Sequence, residues 1–188
     1  MGQYHKTYIL IEQKDGLFLI DQHAAHERIL YELFAKTFDN MPTINLLFPQ
    51  IITLSPVDIQ TVTPYLSLFK QNGIIIEPFG EDQLIVQSIP VHLKNVKCDE
   101  LVQQVIGWVN EYQHVEQAAF FKVIHEKLHA QMACKAAVKA GDTLTQEQMQ
   151  QILTDLNNTA NRFSCPHGRP TGFLLSLHEI EKKFKRKL

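Results

Sequence analysis

The 188-residue sequence predicts a mixed α+β fold of two α/β lobes, the first of them formed from both ends of the chain. Strand-like and helix-like segments follow one another in the order β-β-α, then a mixed middle section, then α-β-α. Hydrophobic residues make up 45% of the chain and charged residues 20%, which is the balance of a globular protein. A chain of this length buries enough apolar surface to fold without cross-links.

The charge and cysteine content exclude several classes of protein. A net charge of −2 argues against a free-standing DNA-binding domain, which carries a basic excess. We interpret the basic cluster at residues 182–187 as a solvated helix end rather than a phosphate contact. Three cysteines cannot all pair within the chain, which indicates a reducing, intracellular setting. With neither a membrane-spanning run nor a signal peptide in the sequence, we expect a cytoplasmic protein without membrane contact.

The N-terminal third predicts a hairpin and a helix. Apolar runs at residues 8–12 and 17–20 flank Lys14-Asp15-Gly16, which is the pattern of a β-hairpin with a glycine turn. A helix is expected from Asp21 to Phe38, because apolar side chains recur there at helical spacing. The strand that opens so close to Met1 suggests that the segment was cut from a longer chain.

The middle and last thirds predict further helices and strands. Ser55 and Pro56 begin a helix that ends at Asn72-Gly73. Thr145 heads a capping box and Ser176 caps the last short helix. The remaining predicted elements are an apolar run at 44–54, strands at 74–79, 83–88 and 171–175, and helices at 99–112 and 115–140, the latter closed by Gly141.

The first candidate site is Asp21-Gln-His-Ala-Ala-His-Glu27, where a strand passes into a helix. His23 and Glu27 are four residues apart and share one helix face, and Asp21 can point to the same side. Carboxylate and imidazole ligands that converge in this way suit zinc or manganese. An equally weighted interpretation is that Asp21 caps the helix while His23 and Glu27 lie on its surface.

The second candidate site is the loop Cys165-Pro-His-Gly-Arg-Pro170. Cys165 and His167 project to the same side of an extended backbone, so both can bind one ion, while the prolines restrict the loop. Arg169 is expected to hold the loop, with a bidentate phosphate contact as the alternative. Cys134 lies among alanines on a predicted helix, where it can pack in the core or be approached by the Cys165 loop.

A competing motif is His125-Glu-Lys-Leu-His129, which matches the HExxH signature of zinc proteases. The extended protease pattern fails, because Met132 stands where it requires another residue. The nearest carboxylate that could serve as third ligand, Glu147, lies beyond the break at Gly141. Cys134 also lies about 140° around the helix from His129, so one site could not use both faces.

Taken together, the motifs resemble the C-terminal endonuclease domain of the MutL family of DNA mismatch-repair proteins. The resemblance covers nearly the whole chain, including the terminal Phe184-Lys-Arg. It implies a metal-dependent nicking endonuclease and homodimerisation module that works with DNA and a MutS-type partner. It also implies an N-terminal ATPase domain, and ATP would act only through that domain. It also implies a dimerisation lobe at 1–43 and 131–188 and a regulatory lobe at 44–130.

Matched position by position, the resemblance implies roles for individual residues. The expected catalytic residues are Asp21, His23 and Glu27, and Cys134, Cys165 and His167 join them as metal ligands. The resemblance assigns supporting or motif positions to Gln22, Glu32, Lys135 and Arg169. A zinc ion is expected on the Cys165–His167 side and a catalytic manganese ion near Asp21 and Glu27, because thiolate prefers zinc and carboxylates suit harder ions.

One segment departs from the family pattern. Bacterial relatives carry a sliding-clamp-binding motif resembling Gln-x-x-Leu-x-Pro, and here Ile44 stands in place of the glutamine. The predicted clamp contacts are Leu46, Leu47, Phe48 and Pro49. The alternative interpretation is an ordinary buried strand that ends at Pro49. A non-catalytic, zinc-bearing dimerisation module is likewise an alternative to the nuclease.

Overall fold

A computed structural model describes residues 1–37, 40–112 and 116–186, apart from the side chains of residues 117 and 118. The strands are β1 (Gly2–Tyr4), β2 (Tyr8–Gln13), β3 (Gly16–Asp21), β4 (Thr43–Thr53), β5 (Ile75–Pro78), β6 (Gln83–Pro90) and β7 (Gly172–Ser176). The α-helices are α1 (Gln22–Lys36), α2 (Pro56–Val62), α3 (Leu66–Gln71), α4 (Asp99–Tyr112), α5 (Gln117–Ala136), α6 (Gln146–Asn157) and α7 (Leu177–Lys183). The mixed α+β class is confirmed. Among the described helices, none is long and apolar enough to cross a membrane.

The chain forms two compact units, Met1–Glu32 with Ala137–Leu188, and Leu33–Ala136. The first unit therefore combines both ends of the chain, and the second is inserted between them. The lobe bounds expected from the sequence, 1–43 with 131–188 and 44–130, and the functions attached to them stay a prediction.

The first unit contains an antiparallel sheet in the order β1-β2-β3-β7. The predicted hairpin is confirmed, with Ile9 opposite Ile20 and Gln13 opposite Gly16. Gly16 is required at the turn because a Cβ there would lie 2.2 Å from the Leu175 carbonyl oxygen. The short strand β1 was not predicted. It joins β2 through a tight turn in which His5 and Lys6 both adopt positive φ angles, 53° and 49°.

One face of this sheet packs against α1 and α6. Ile9 and Ile20 form its buried core with Ala25 of α1 and with apolar side chains of α6 (Met149, Ile152 and Leu156). The predicted capping box is confirmed, since the Thr145 side chain accepts a hydrogen bond from the Gln148 amide and the Gln148 side chain accepts one from the Thr145 amide. This packing fixes α1 against the sheet and so fixes the helix that carries the first candidate motif.

The opposite face of the sheet is also apolar. Because paired residues of neighbouring strands share a face, Leu10 with Leu19, Leu19 with Phe173 and Leu17 with Leu175 form one row across it. The leucines are partly buried, whereas Phe173 is largely exposed. Within the first unit this face therefore presents a row of apolar side chains that includes the exposed Phe173.

The second unit contains an antiparallel sheet in the order β4-β6-β5, with α2 to α5. The helix expected from Ser55 to Asn72 begins as predicted, with Ser55 accepting a hydrogen bond from the Asp58 amide. It is interrupted by a 3-10 turn at Thr63–Tyr65, because Pro64 cannot continue an α-helical hydrogen-bond ladder. Two helices, α2 and α3, thus replace the single predicted one.

Two predicted helix ends need separate comment. The helix expected to reach Ala140 ends at Ala136, and the Gly141 amide instead donates to the carbonyl of Lys6 in the first unit. Its expected start at Val115 lies outside the described residues, as does the expected end of the first helix at Phe38. The early end of α5 brings the backbone of Val138 beside α1.

Candidate metal centre

Helix α1 begins at an N-cap that is also a predicted metal ligand. Asp21 Oδ1 accepts hydrogen bonds from the backbone amides of His23 (2.9 Å) and Ala24 (3.0 Å). These bonds satisfy two amides that have no partner within the helix. The capping interpretation of Asp21 is thus observed, and one of its carboxylate oxygens is committed to the backbone. Its role as a ligand stays a prediction.

The second motif lies in a tight hairpin loop at residues 163–171. The Gly168 amide donates to the Cys165 carbonyl (3.0 Å), and the Cys165 amide donates to the Arg169 carbonyl (2.8 Å). Pro166 stands at the second position of this turn, where its fixed φ is favourable, and Gly168 adopts a φ of +81°. A β-bridge between Ser164 and Pro170 closes the loop. Cys165 and His167 are consequently held in one conformation.

Glu27 lies at the centre of the site. Its side chain is fully buried, and Oε1 lies 3.3 Å from His167 Nδ1 and 3.5 Å from His23 Nε2. The other oxygen, Oε2, lies 3.2 Å from Arg169 Nη2. A buried carboxylate is costly without compensating charge, and here the Arg169 guanidinium provides it beside the two imidazole rings. Helix α1 and the hairpin loop meet at this one side chain.

The orientation of His23 is set by the backbone. His23 Nδ1 lies 2.8 Å from the Val138 carbonyl oxygen, so this nitrogen carries the hydrogen and Nε2 faces Glu27. The pKa of His23 is raised, chiefly because of its hydrogen bond to Glu27 and against the effect of burial. Histidines that bind metals commonly donate their second ring nitrogen to a carbonyl in this way. His26, which the sequence analysis left out, accepts a hydrogen bond from the Val138 amide (3.1 Å).

The donor set fits a zinc ion. One ligand atom each from Glu27, Cys165 and His167 lie within 4.8 Å of one another. Ligand atoms around tetrahedral zinc stand about 3.3–3.8 Å apart, so small side-chain rotations suffice to close the group upon an ion. Thiolate, imidazole and carboxylate are all zinc ligands, and three protein ligands leave a coordination position open.

Arg169 joins the buried ligands to solvent. Its side chain is 54% exposed while Nη2 contacts Glu27. The pKa of the Arg169 guanidinium lies above its usual range, chiefly because it hydrogen-bonds the Cys165 sulfur and also because it faces Glu27. The holding role expected for Arg169 is consistent with these contacts, and its exposed N–H groups are in position to meet an anion.

Three further side chains of α1 fix the surroundings. The buried Gln22 donates to the carbonyls of Lys6 and Lys139, and Glu32 accepts from the amides of Ala160 and Asn161. Arg28, which the sequence analysis missed, is buried and donates from Nε to the Ser164 carbonyl (2.6 Å). Its position one residue after Glu27 and four before Glu32 was the signal that could have found it.

The remaining predicted site residues lie in the second unit. Cys134 is near the end of α5, and its role as a ligand stays a prediction. Lys135 forms an ion pair with Glu100 of α4. The structure places neither residue within the first unit.

The HExxH residues of α5 form a different arrangement. His129 is buried and its Nε2 lies 2.7 Å from Asn72 Oδ1, and His125 Nδ1 lies 3.3 Å from Asn72 Nδ2. Burial lowers the pKa of His129 to about 4. Within the described ranges, no third ligand joins these histidines in a metal-binding group. His129 packs α5 against the end of α3, which gives no support to the protease alternative.

The geometry defines a class: a two-unit α+β protein with a cysteine–histidine–carboxylate group whose cysteine and carboxylate are buried. A family model described as the MutL C terminal dimerisation domain matches residues 1–144. The chain belongs to this family. It is 35% identical over 186 residues to the DNA mismatch repair protein MutL of Thermoanaerobacter pseudethanolicus, covering 99% of this chain and 30% of that protein.

Other relatives carry the same name. The chain is 36% identical over 188 residues to a Clostridium botulinum MutL, covering 99% of this chain and 28% of that protein. It is 37% identical over 191 residues to the Symbiobacterium thermophilum MutL, covering 99% and 30%. The chain therefore spans less than a third of the length of these relatives.

Proposed function

We propose that this chain is the metal-dependent nicking endonuclease domain and the homodimerisation module of a MutL-type mismatch-repair protein. The observation that carries the proposal is the buried Glu27 carboxylate, which contacts His23 and His167 beside the Cys165 sulfur. A full set of metal-type side chains around one buried carboxylate is unnecessary for dimerisation alone. Such a set is what phosphodiester hydrolysis requires.

In this proposal the residues divide between two ions. The proposed zinc ligands are Cys165, His167 and Glu27. The proposed manganese ligands are Asp21, His23 and Glu27, so both ions would use Glu27. Bound divalent ions supply an activated water and neutralise charge on the phosphate oxygens. Arg169 stabilises the ligand carboxylate and presents the rest of its guanidinium to the substrate phosphate. The Val138 carbonyl keeps the His23 Nε2 lone pair directed at the site.

The test is nicking of supercoiled plasmid by the full-length protein with manganese. We expect Glu27→Gln to abolish nicking and lower the zinc content, because the shared carboxylate is lost. Glu126→Gln is the matched control, since Glu126 is exposed on α5 within the HExxH sequence. Equal nicking by wild type and Glu27→Gln would refute the assignment, and loss of nicking in Glu126→Gln alone would place the nuclease site at the HExxH residues instead.

The non-catalytic module is distinguished by a separate outcome. If wild-type protein retains zinc and dimerises but does not nick, even with its sliding clamp and MutS-type partner supplied, the chain serves assembly only. DNA binding by the isolated domain is expected to be weak and to fall with modest salt, because the net charge is −2. Any response to ATP would come through an N-terminal domain of the longer protein.

The outer face of the four-stranded sheet is the proposed homodimer interface. Leu10, Leu19 and Phe173 form a continuous apolar row there, and obligate interfaces resemble such a core surface. We expect Phe173→Glu to dissociate the dimer in sedimentation experiments. Phe79→Glu, an exposed aromatic of the second unit, is the control expected to leave the dimer intact. Dimers of unchanged stability in Phe173→Glu would place the interface elsewhere.

Clamp binding is a second candidate function, favoured by the shape of β4. This edge strand continues past Pro49 to Thr53, so the alternative of a buried strand ending at Pro49 is wrong. Its register shifts between Asn45 and Gln50, and Leu47 and Phe48 are 86% and 83% exposed. Two adjacent apolar side chains held in solvent suit insertion into a partner's pocket.

A pull-down with a purified bacterial sliding clamp tests this candidate. We expect Leu47→Asp with Phe48→Asp to abolish binding while the fold is unchanged, because neither side chain is packed. Val57→Asp, another exposed apolar position of the second unit, is the control. Undiminished clamp binding by the double variant would contradict the assignment.

A further inference from the structure

Phe163 is an aromatic side chain held in solvent beside the candidate metal centre. It is 70% exposed, and the Arg162 guanidinium carbon lies 5.1 Å from the centre of its ring. Single exposed apolar side chains are common on protein surfaces, so exposure alone assigns Phe163 no role. What points to a role is the arginine over its ring together with its place two residues before Cys165.

Hydrogen bonds fix the backbone around Phe163. The Thr171 amide donates to the Phe163 carbonyl (3.1 Å), and Arg28 Nε donates to the carbonyl of Ser164 (2.6 Å). Arg162 is held in turn, because its guanidinium donates to Asn157 Oδ1 and its carbonyl accepts from the Thr171 hydroxyl. Ring and guanidinium are thus presented together on a turn whose neighbouring backbone is hydrogen-bonded to Thr171 and Arg28.

The position of this pair relates it to the proposed reaction. Phe163 is two residues before Cys165, whose sulfur belongs to the ligand group with Glu27 and His167. Two extended residues span at most about 7 Å, and a DNA strand advances 3.4 Å per nucleotide along the helix axis. When the phosphodiester to be cleaved lies at the metal centre, the nucleotide one or two steps along the strand would lie at Phe163.

We propose that Phe163 and Arg162 form a DNA-contacting pair that positions the strand to be nicked. The ring packs against the sugar and base of a neighbouring nucleotide, and the guanidinium pairs with its phosphate. Aromatic side chains combined with arginine bind nucleic acid in this way without reading its sequence. The inference rests on the proposed function and names its substrate contact.

The charges favour DNA over a second copy of the chain as the occupant. Glu27 is the carboxylate of the ligand group, so a polyanion that approaches it needs nearby cations. Arg162 and Arg169 supply them on the same hairpin. A second copy of the chain carries a net charge of −2, whereas DNA carries a negative charge at every phosphate, so DNA complements the two guanidinium groups better.

The experiment measures DNA affinity separately from nicking. The full-length Glu27→Gln variant is titrated with a labelled DNA duplex. The readout is binding, so it does not depend on nicking activity. In this background we expect Phe163→Leu to weaken binding about 5- to 50-fold, as for loss of one aromatic–nucleotide contact. Phe163→Tyr should restore it, because the ring and not its hydrophobicity is required. Arg162→Gln should lower the salt dependence of binding by about one phosphate contact.

Controls separate the outcomes. Phe79→Leu, at an exposed aromatic of the second unit, should leave DNA affinity unchanged. Zinc content and dimer mass should be those of the parent in every variant. Equal affinity of Phe163→Leu and the parent, or dissociation of the dimer in Phe163→Leu, would overturn the proposal. Wild-type protein that binds DNA through Phe163 but does not nick would refute only the proposed function.

Discussion

Acid should selectively destabilise the second unit through His129. Burial lowers the pKa of His129 to about 4, whereas the unfolded chain has a histidine pKa near 6.5. Above pH 6.5 both states are neutral and the contribution is fully present. As the pH falls towards 4, only the unfolded chain takes up the proton, so the free energy of unfolding decreases with falling pH.

The size of this effect follows from the gap between the two pKa values. Between pH 7 and pH 5 the unfolded chain gains most of one proton while folded His129 remains neutral. At 1.36 kcal/mol per pH unit, the free energy of unfolding can fall by at most about 2 kcal/mol between these pH values. Partial solvent access reduces the expected fall to about 1–2 kcal/mol. The urea midpoint should fall by about 0.5–1 M.

The chain offers its own reporter and control. Trp108, its one tryptophan, lies on α4 of the second unit, so its fluorescence in urea follows that unit. His129→Gln keeps a polar group beside Asn72 but does not titrate, and it should lose less stability between pH 7 and pH 5 than wild type. An equal loss in both proteins would refute the reasoning and place the acid sensitivity elsewhere.

Three further substitutions test the first unit. Arg28→Met should weaken zinc binding about 10- to 100-fold, because the Ser164 carbonyl loses the donor that holds the Cys165 loop. A chelator competition measures the affinity, and an unchanged value would contradict this. Lys6→Gly should raise the free energy of unfolding by about 1 kcal/mol, because glycine adopts the positive φ of 49° without strain. A lower melting temperature would contradict this. Thr145→Ala should cost about 1 kcal/mol through loss of the capping box, and no change in the denaturation midpoint would argue against it.

Local signals predicted much of the fold. The hairpin, the caps at Ser55, Thr145 and Ser176, and the helix over Asp99–Tyr112 all appear as expected, because turn residues and caps act within a few positions. The end of α5 could not be predicted in this way. Val138 leaves the helix to bond with His23 and His26, which are more than 100 residues away in the sequence.

The candidate site shows the same limit. Spacing alone placed His23 with Glu27 and Cys165 with His167, since each pair lies on one element. The prediction that the two pairs meet at one site came from the family resemblance and not from periodicity. The capping bonds of Asp21 were an open alternative, because an N-cap and a metal ligand need the same carboxylate at the same position. The spacing of Arg28 and Glu32 is visible in the sequence, but the contact of Arg28 with the Ser164 carbonyl, 136 residues away, is not.

The separation of the site residues along the chain also sets when the site can exist during synthesis. Arg169 follows Glu27 by 142 residues, and Cys165 and His167 lie just before it. At about 5–20 residues per second, a ribosome needs about 7–28 s to pass from one to the other. During that interval α1 has been made but the 165–169 loop has not. Under the proposed function an ion can be held there only after residue 169 has been made, and its binding would report that both segments of the first unit have met.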